Sequence, residues 1–269
     1  MITIISPVFN ASSFIRSCIQ SVAEQYVNGL EHLIIDGGST DGTVALIEEM
    51  ALRHPHIHWI SEKDKGQSDA MNKGISMAKN PVISFLNADD LYEPGAIAFA
   101  RNFFLTAKPD TFLVGNCRVL REDGSEYMIN KPYPFDMVSF MLDYNFPYNP
   151  SAYFYHKSLH TKLGGYDMED HLTMDIDFIF RLSRFSNVVY KDVIIGNYVM
   201  VMNSKTMKEI SEGRNIENLK MVFDKHTSSL SISEKLRLAI LKSLGKNRGW
   251  VLYYVNNPKK LLAKLFAKF

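Results

Sequence analysis

The sequence predicts an α/β protein with a mixed, mainly parallel sheet flanked by helices and a C-terminal helical tail. Three observations carry this expectation. Apolar strand-like runs alternate with helical patterns through the first hundred or so residues, as expected of a parallel sheet with crossover helices. Four successive runs end in polar, Gly-containing or acidic segments. Beyond Asn203 the pattern turns helical and lysine-rich.

In order, TIISPV reads as a first strand, and a helix follows with Ile15, Cys18, Ile19, Val22, Ala23 and Tyr26 at three-and-four spacing on one buried face. EHLIID, HIHWI and VISFL read as three further strands separated by helices. Between residues 111 and 155, TFLVGNCRVLR reads as a strand, REDGSE as a hairpin-type turn, and KPYPFDMVSFMLDYNFPYNP as loop and short helix. Strand-like SAYFYH, a helix beginning at His156, a turn at Gly164 and Gly165, the helical run DIDFIFRLSRF and a strand from Val188 to Met202 complete this part. No internal repeat or low-complexity segment is visible. The expected organisation is one α/β domain over 1–203, in two parts (1–110 and 111–203), followed by a helical extension over 204–269.

Composition narrows the function classes. With 269 residues, 46% of them hydrophobic, the chain can bury one sizeable core. Thirty basic against 29 acidic residues leave no broad basic footprint, so nucleic acid is not an expected partner. Cys18 and Cys117 lack metal-type spacing and read as buried, reduced thiols, which fits a cytoplasmic protein. MITIISPVF reads as a strand from its first residue, so no secretory signal is expected, and no run is apolar and long enough to span a bilayer. The tail KKLLAKLFAKF (259–269) combines lysines with Leu, Phe and Ala, and predicts peripheral contact with the inner face of a membrane.

The chemistry is expected at the strand ends, where an open parallel sheet gathers side chains and helix N-termini around one crevice. PVFN, IIDGGSTDGT, EKDKGQSDAMNKG and FLNADD, in this order and at these intervals, resemble the nucleotide-binding half of family 2 glycosyltransferases with the GT-A (Rossmann-like) fold, and the resemblance spans residues 2 to about 202. It implies an inverting enzyme that moves a sugar from a nucleotide diphosphate donor, UDP by default, onto a hydroxyl of a glycan or lipid-linked acceptor in cell-surface polysaccharide synthesis.

The resemblance implies that Pro7, Val8, Asn10, Asp36, Asp64, Gln67, Asn72, Asn87 and Ala88 form the nucleotide-sugar site. Asp36, a pure acceptor, would hold the uracil edge or ribose, against a simpler reading as a turn or helix cap. Ser39, Thr40 and Asp41 read as cap chemistry. Asp64 would lie near the base, Gly66 would let the backbone pass close to a ligand, and Asn72 would face the nucleotide from its helix. Lys65 and Lys73 could offset diphosphate charge or be merely solvated. In FLNADD, which matches an Asp-any-Asp motif, Asp89 would hold Mg²⁺ or Mn²⁺, hard cations that suit oxygen ligands. Asn87 replaces the motif's first Asp, removing a charge while keeping a carbonyl acceptor. Asp90 reads as a second ligand or an N-cap, with the cap preferred. GGYDMEDHLTMDIDFIFRL resembles the family's segment carrying the catalytic base, which Asp175 matches; Asp177, two residues on, points to another face and reads as acceptor-binding or structural.

Other polar residues carry blander readings. Asp167, Glu169 and Asp170 read as solvated loop charges, and His54, His56 and His58 as structural. His156, His160 and His171, and the aromatics Tyr144, Phe146, Tyr148 and Tyr153, could touch a sugar or simply pack. A sugar-nucleotide pyrophosphorylase would need a basic Gly-rich loop that PVFNASSFIRS lacks, and a Rossmann oxidoreductase would need G-x-G-x-x-G. A non-catalytic binding or scaffolding relative is kept open by Asn87 and opposed by Asp89 and Asp175.

Overall fold

The computed structural model describes residues 1–244 apart from 171, 203, 205, 206, 209 and 210. Among the described residues nine strands form one sheet, in the order β3-β2-β1-β4-β8-β6-β9-β5, with β7 paired to β6. Strands β1 (Ile2–Val8), β2 (Leu30–Asp36), β3 (Ile57–Ser61) and β4 (Val82–Phe85) are mutually parallel, joined through helices α1 (Ile15–Ala23), α2 (Thr43–Arg53) and α3 (Gln67–Met77). Their burial explains the sequence pattern: β1, β2 and β4 are covered on both faces and therefore read as unbroken apolar runs.

Strand β1 lies between β2 and β4, so the chain order reverses there, and the crevice outside the carboxyl ends of β1 and β4 is a topological switch point. Register aligns Val8 with Asp36 and Asp36 with Ser61. The remaining strands are β5 (Leu91–Tyr92), β6 (Thr111–Arg121), β7 (Glu126–Asn130), β8 (Tyr153–His156) and β9 (Asn187–Met200); β8 runs antiparallel to β4 and β6, and β9 runs parallel to β6 and antiparallel to β5.

One face of the sheet packs Ile5, Ile35 and Phe85 against α3, α5 (Met137–Asp143), α7 (Met174–Phe185) and the last two described helices, α8 (Arg214–Thr227) and α9 (Ile232–Ser243). The other face packs Ile2, Ile4 and Ile34 against α1, α2 and α4 (Ala96–Phe104). Val222, Phe223, Leu238 and Leu241 thus join the main core, and a capping box at Ser231 and Glu234 starts α9. The expected boundary at Asn203 and the tail 259–269 lie outside the described residues.

Three local expectations need correction. Helix α1 ends at Ala23, so Tyr26 leaves the buried face and is 56% exposed. The helix expected from His156 is α6, Ser158–Leu163, because His156 still pairs with Val82 as strand. Strand β5, two residues long, had no sequence signal; it forms because Leu91 and Tyr92 meet Asn197 and Gly196 of β9.

Candidate active site

The floor of the crevice is built by loops that hold one another. After β1, Asn10 takes a left-handed backbone (φ +48). Its amide N–H donates to Ser39 Oγ at 2.7 Å and its Oδ1 accepts from the Thr40 N–H at 3.0 Å, so Asn10 fastens the β1 loop to the β2 loop. Pro7 and Val8 are buried strand residues beneath it, and the Val8 carbonyl accepts from the Gly37 N–H at 2.8 Å.

Asp36 is fully buried. It accepts from the Gly38 and Ser39 N–H groups at 3.0 and 2.9 Å, from Ser61 Oγ at 2.6 Å and from Ser39 Oγ. Four donors occupy a carboxylate with about four lone-pair sites. Asp36 thereby organises the turn beneath the crevice, at the strand end where the base or ribose is expected. Asp41, one residue before the Gly42 N-cap of α2, accepts from the Thr43 N–H at 3.0 Å.

Asp64 stands beside this turn. A Cβ on Gly37 would fall 2.5 Å from Asp64 Oδ2, so glycine is needed there for the close approach. Asp64 Oδ1 accepts from the Gly66 N–H at 2.9 Å, and the residue is half-buried. Phe9, at the end of β1, is 63% exposed. Sequence reading passed over it; its signal was an aromatic residue directly after a buried strand at the crevice.

The acidic loop follows β4. Gln67 Nε2 donates to Asn87 Oδ1 at 3.1 Å, and Asn87 Nδ2 donates to Asp90 Oδ2 at 3.0 Å. Asp90 is fully buried and also accepts from Asn149 Nδ2 at 2.7 Å and from the Val199 N–H at 3.1 Å. It caps no helix, since the N-cap of α4 is Gly95, and it is spent as a strut between β4, β9 and the turn before β8. Burial and then the neighbouring Asp89 push its carboxyl well up. Asp89 and Ala88 are half-buried, and burial pushes the Asp89 carboxyl up as well. Among the described residues no three His, Cys, Asp or Glu side chains converge as a metal cage. Asp89 could nevertheless hold Mg²⁺ or Mn²⁺, because such ions bind through one or two carboxylates together with substrate phosphates, and a cation would offset the cost of its half-buried charge.

The opposite wall is α7. Asp175, in its first turn, is half-buried and accepts from the Ile176 N–H at 2.8 Å. Its negative charge reaches the buried phenols of Tyr153 and Tyr166, adding to the burial that raises both. Asp177 is buried and structural: it binds Arg181 Nε at 2.9 Å, His226 Nε2 at 2.9 Å and Lys225 Nζ at 2.8 Å, joining α7 to α8. Burial raises its carboxyl, and the bonds from His226 and Lys225 outweigh this and leave it well below the usual range.

Several expected contacts are absorbed elsewhere. Both polar atoms of the Asn72 side chain bind the Tyr166 backbone. Lys73 pairs with Glu62 at 2.8 Å and Asp69 at 3.4 Å. Asp170 accepts from the Leu172 and Thr173 N–H groups in the turn before α7. His156 accepts from the Thr111 N–H, and His160 bonds Tyr155 and stacks on Phe178. Phe146 and Tyr153 are buried packing, while Tyr144 and Tyr148 remain exposed. His171 lies outside the described residues.

Comparison with known proteins meets this geometry. The model of "Glycosyl transferase family 2" matches residues 3–164. Chondroitin synthase of Escherichia coli is 34% identical over 104 residues, covering 39% of this chain and 15% of its own length. A PGL/p-HBAD biosynthesis glycosyltransferase of Mycobacterium bovis is 29% identical over 206 residues, covering 74% of this chain and 76% of its own. Among solved structures, S. aureus TarS superposes with a TM-score of 0.67 at 13% identity, covering 91% of this chain and 44% of TarS. TarS 1-349 in complex with UDP-GlcNAc gives 0.64 at 15% identity, covering 95% of this chain and 74% of that one. The mannosyltransferase PcManGT of Pyrobaculum calidifontis, in complex with GDP-Man and Mn²⁺, gives 0.56 at 15% identity, covering 100% and 88%. The crevice at the β1/β4 switch point and the matching family model lead to one conclusion: the chain belongs to glycosyl transferase family 2, is a glycosyltransferase, and has the GT-A fold.

Proposed function

We propose that the enzyme transfers a sugar, with inversion, from a nucleotide diphosphate donor to a hydroxyl of a glycan or lipid-linked acceptor. The observation that carries this reading is the placement of Asp89 and Asp175 on the two sides of one helix start: Gln67 of α3 bonds Asn87 of the Asp89 loop, and Ser68 contacts Met174, next to Asp175. Asp64 and the open ring of Phe9 serve the base, an aromatic face offering stacking that is indifferent to which base is bound. Gln67 and Ala88 border the donor. UDP is the default nucleotide, supported by the TarS complex with UDP-GlcNAc.

Asp89 would hold Mg²⁺ or Mn²⁺ beneath the diphosphate, where the cation supplies Lewis-acid stabilisation of the leaving charge. Asp175 accepts the proton of the acceptor hydroxyl as that oxygen forms its bond to the anomeric carbon. The bond from that carbon to the diphosphate oxygen breaks on the opposite side, and the electron pair leaves with the nucleoside diphosphate. One carboxylate suffices for this single displacement, and no covalent intermediate forms.

No helix among the described residues is long and apolar enough to cross a membrane. A place in the cytoplasm, with residues 259–269 touching the inner membrane face and the acceptor drawn from cell-surface polysaccharide synthesis, is part of the proposal; it is supported by the basic, apolar tail sequence.

Calorimetry of UDP, GDP and dTDP with and without Mn²⁺, on the wild type and Asp89→Ala, tests the reading. Metal-dependent binding of one nucleotide, lost in the variant, is expected. Absence of binding under every condition would replace it with a non-catalytic scaffolding role.

A further inference from the structure

Helix α3 grips the segment that leads to Asp175 at two points one turn apart. Asn72 Nδ2 donates to the Tyr166 carbonyl at 2.8 Å, and Asn72 Oδ1 accepts from the Tyr166 N–H at 2.9 Å. A single primary amide thereby makes the pair of backbone bonds that a neighbouring strand would otherwise provide. Ser68, four residues earlier on the same helix face, donates to the Asp170 carbonyl at 3.2 Å and contacts Met174 Sδ. A Cβ on Gly165 would come within 2.6 Å of Asn72 Oδ1, so the amide and the bare glycine occupy one shared space.

The same turn is held from the other side by α7. Arg181 donates to the carbonyls of Leu163 at 2.8 Å and Gly165 at 3.0 Å, while its Nε is anchored on Asp177. Downstream, Asp170 Oδ1 accepts from the Leu172 and Thr173 N–H groups and holds the turn that leads into α7. Residues 163–175 are therefore tied at both ends, with α3 as the common rail. The first residue of that rail, Gln67, is bonded to Asn87 of the acidic loop.

We propose that Asn72 is a positioning residue: by holding both backbone groups of Tyr166 it sets, together with Ser68, where Asp175 stands relative to the Asp89 loop. The inference rests on the reading of Asp175 as the base. An amide is required because the Tyr166 pair needs one donor and one acceptor from the same side chain; a carboxylate has no donor and a methyl group has neither. Precision is the gain, since a displacement of about 1 Å at a reacting group costs roughly a hundredfold in rate.

The test compares Asn72→Ala and Gly165→Ala with the wild type and with Asp175→Asn. Three readouts are taken: hydrogen exchange by mass spectrometry, UDP and GDP affinity by calorimetry, and release of nucleoside diphosphate from UDP-N-acetylglucosamine and GDP-mannose with Mn²⁺. For Asn72→Ala, exchange at least tenfold faster is expected across 163–177, including the first turn of α7, with β1 to β4 unchanged. The kcat should fall at least tenfold while donor KM and nucleotide affinity stay within twofold. Faster exchange confined to 165–167, unchanged exchange, or kcat and nucleotide affinity falling together would overturn the inference. Should Asn72→Ala fail to fold, Gly165→Ala decides by the same readouts, since it displaces the amide without removing it. Wild-type kcat in Asp175→Asn would instead sink the base assignment; exchange judges the clamp even when neither donor is turned over.

Discussion

Gln67 Nε2 donates to Asn87 Oδ1 across 3.1 Å, fastening the start of α3 to the acidic loop after β4. Asn87 passes the connection on to the buried Asp90 through its own amide hydrogen. The asparagine that departs from the family's acidic motif is thus a bridge: it accepts on one side and donates on the other.

Restoring the motif should therefore harm the protein. Asn87→Asp removes the donor to Asp90 and adds a carboxylate beside two that burial already pushes up. A loss of about 1–3 kcal/mol is expected in guanidinium unfolding at pH 7 in metal-free buffer, the scale of one lost hydrogen bond to a buried carboxylate, whose Oδ2 keeps Asn149 as its remaining donor. Unchanged stability would refute the bridging role.

Asp175 and Asp177 should separate cleanly in experiment. Asp175→Asn is expected to lower kcat by about 10²–10⁴-fold with nucleotide affinity nearly intact, because a general base acts only in the transition state. Asp177→Asn should instead lower the melting temperature, since Arg181, His226 and Lys225 all converge on that carboxylate. Nucleotide titrations on both variants, beside their thermal melts, distinguish the two.

Phe9→Ala should weaken nucleotide binding by about 1–3 kcal/mol without a change in stability, the range for base–aromatic stacking. The residue is 63% exposed, so folding gains little from it. Phe9→Tyr should bind as the wild type does. Calorimetry checks both, and equal affinity in Phe9→Ala would remove the ring from the site.

Acid should unfold the protein through its buried histidines. Burial pushes His32 and His160 down to about 3 from the ordinary 6.5. Between those values the unfolded chain takes up protons that the folded chain refuses, so stability is lost as pH falls from about 6.5 toward 3. His160→Phe keeps a ring on Phe178 while removing one proton site. Its acid-unfolding midpoint, followed by circular dichroism, should move to lower pH, although the Tyr155 hydroxyl loses its partner at neutral pH.

Much of the fold was legible from local pattern. Three of the four parallel strands, β1, β2 and β4, announced themselves as apolar runs because both of their faces are covered, and α1 did so by Ile15, Cys18, Ile19 and Val22 on one stripe. The site residues were legible as positions more than as roles. Asp36 was correctly placed at a strand end, yet Ser61, 25 residues away, helps consume its lone pairs. Asn72 was correctly placed on α3, yet its partner Tyr166 lies 94 residues on. Nothing within either motif names that partner.

By itself, the sequence determined the elements, the parallel half of the sheet and the crevice at which its polar segments gather, because hydrophobic period and turn chemistry are local properties of a chain. Only the tertiary structure decided which polar side chains bond within the scaffold, as Asp36, Asn72, Asp90 and Asp177 do, and which side chains stay exposed, as Phe9 does. A hydrogen bond is a matter of distance and direction in space. A carboxylate or amide has a fixed number of sites, and what remains for a ligand is settled only when distant strands and helices have taken their share.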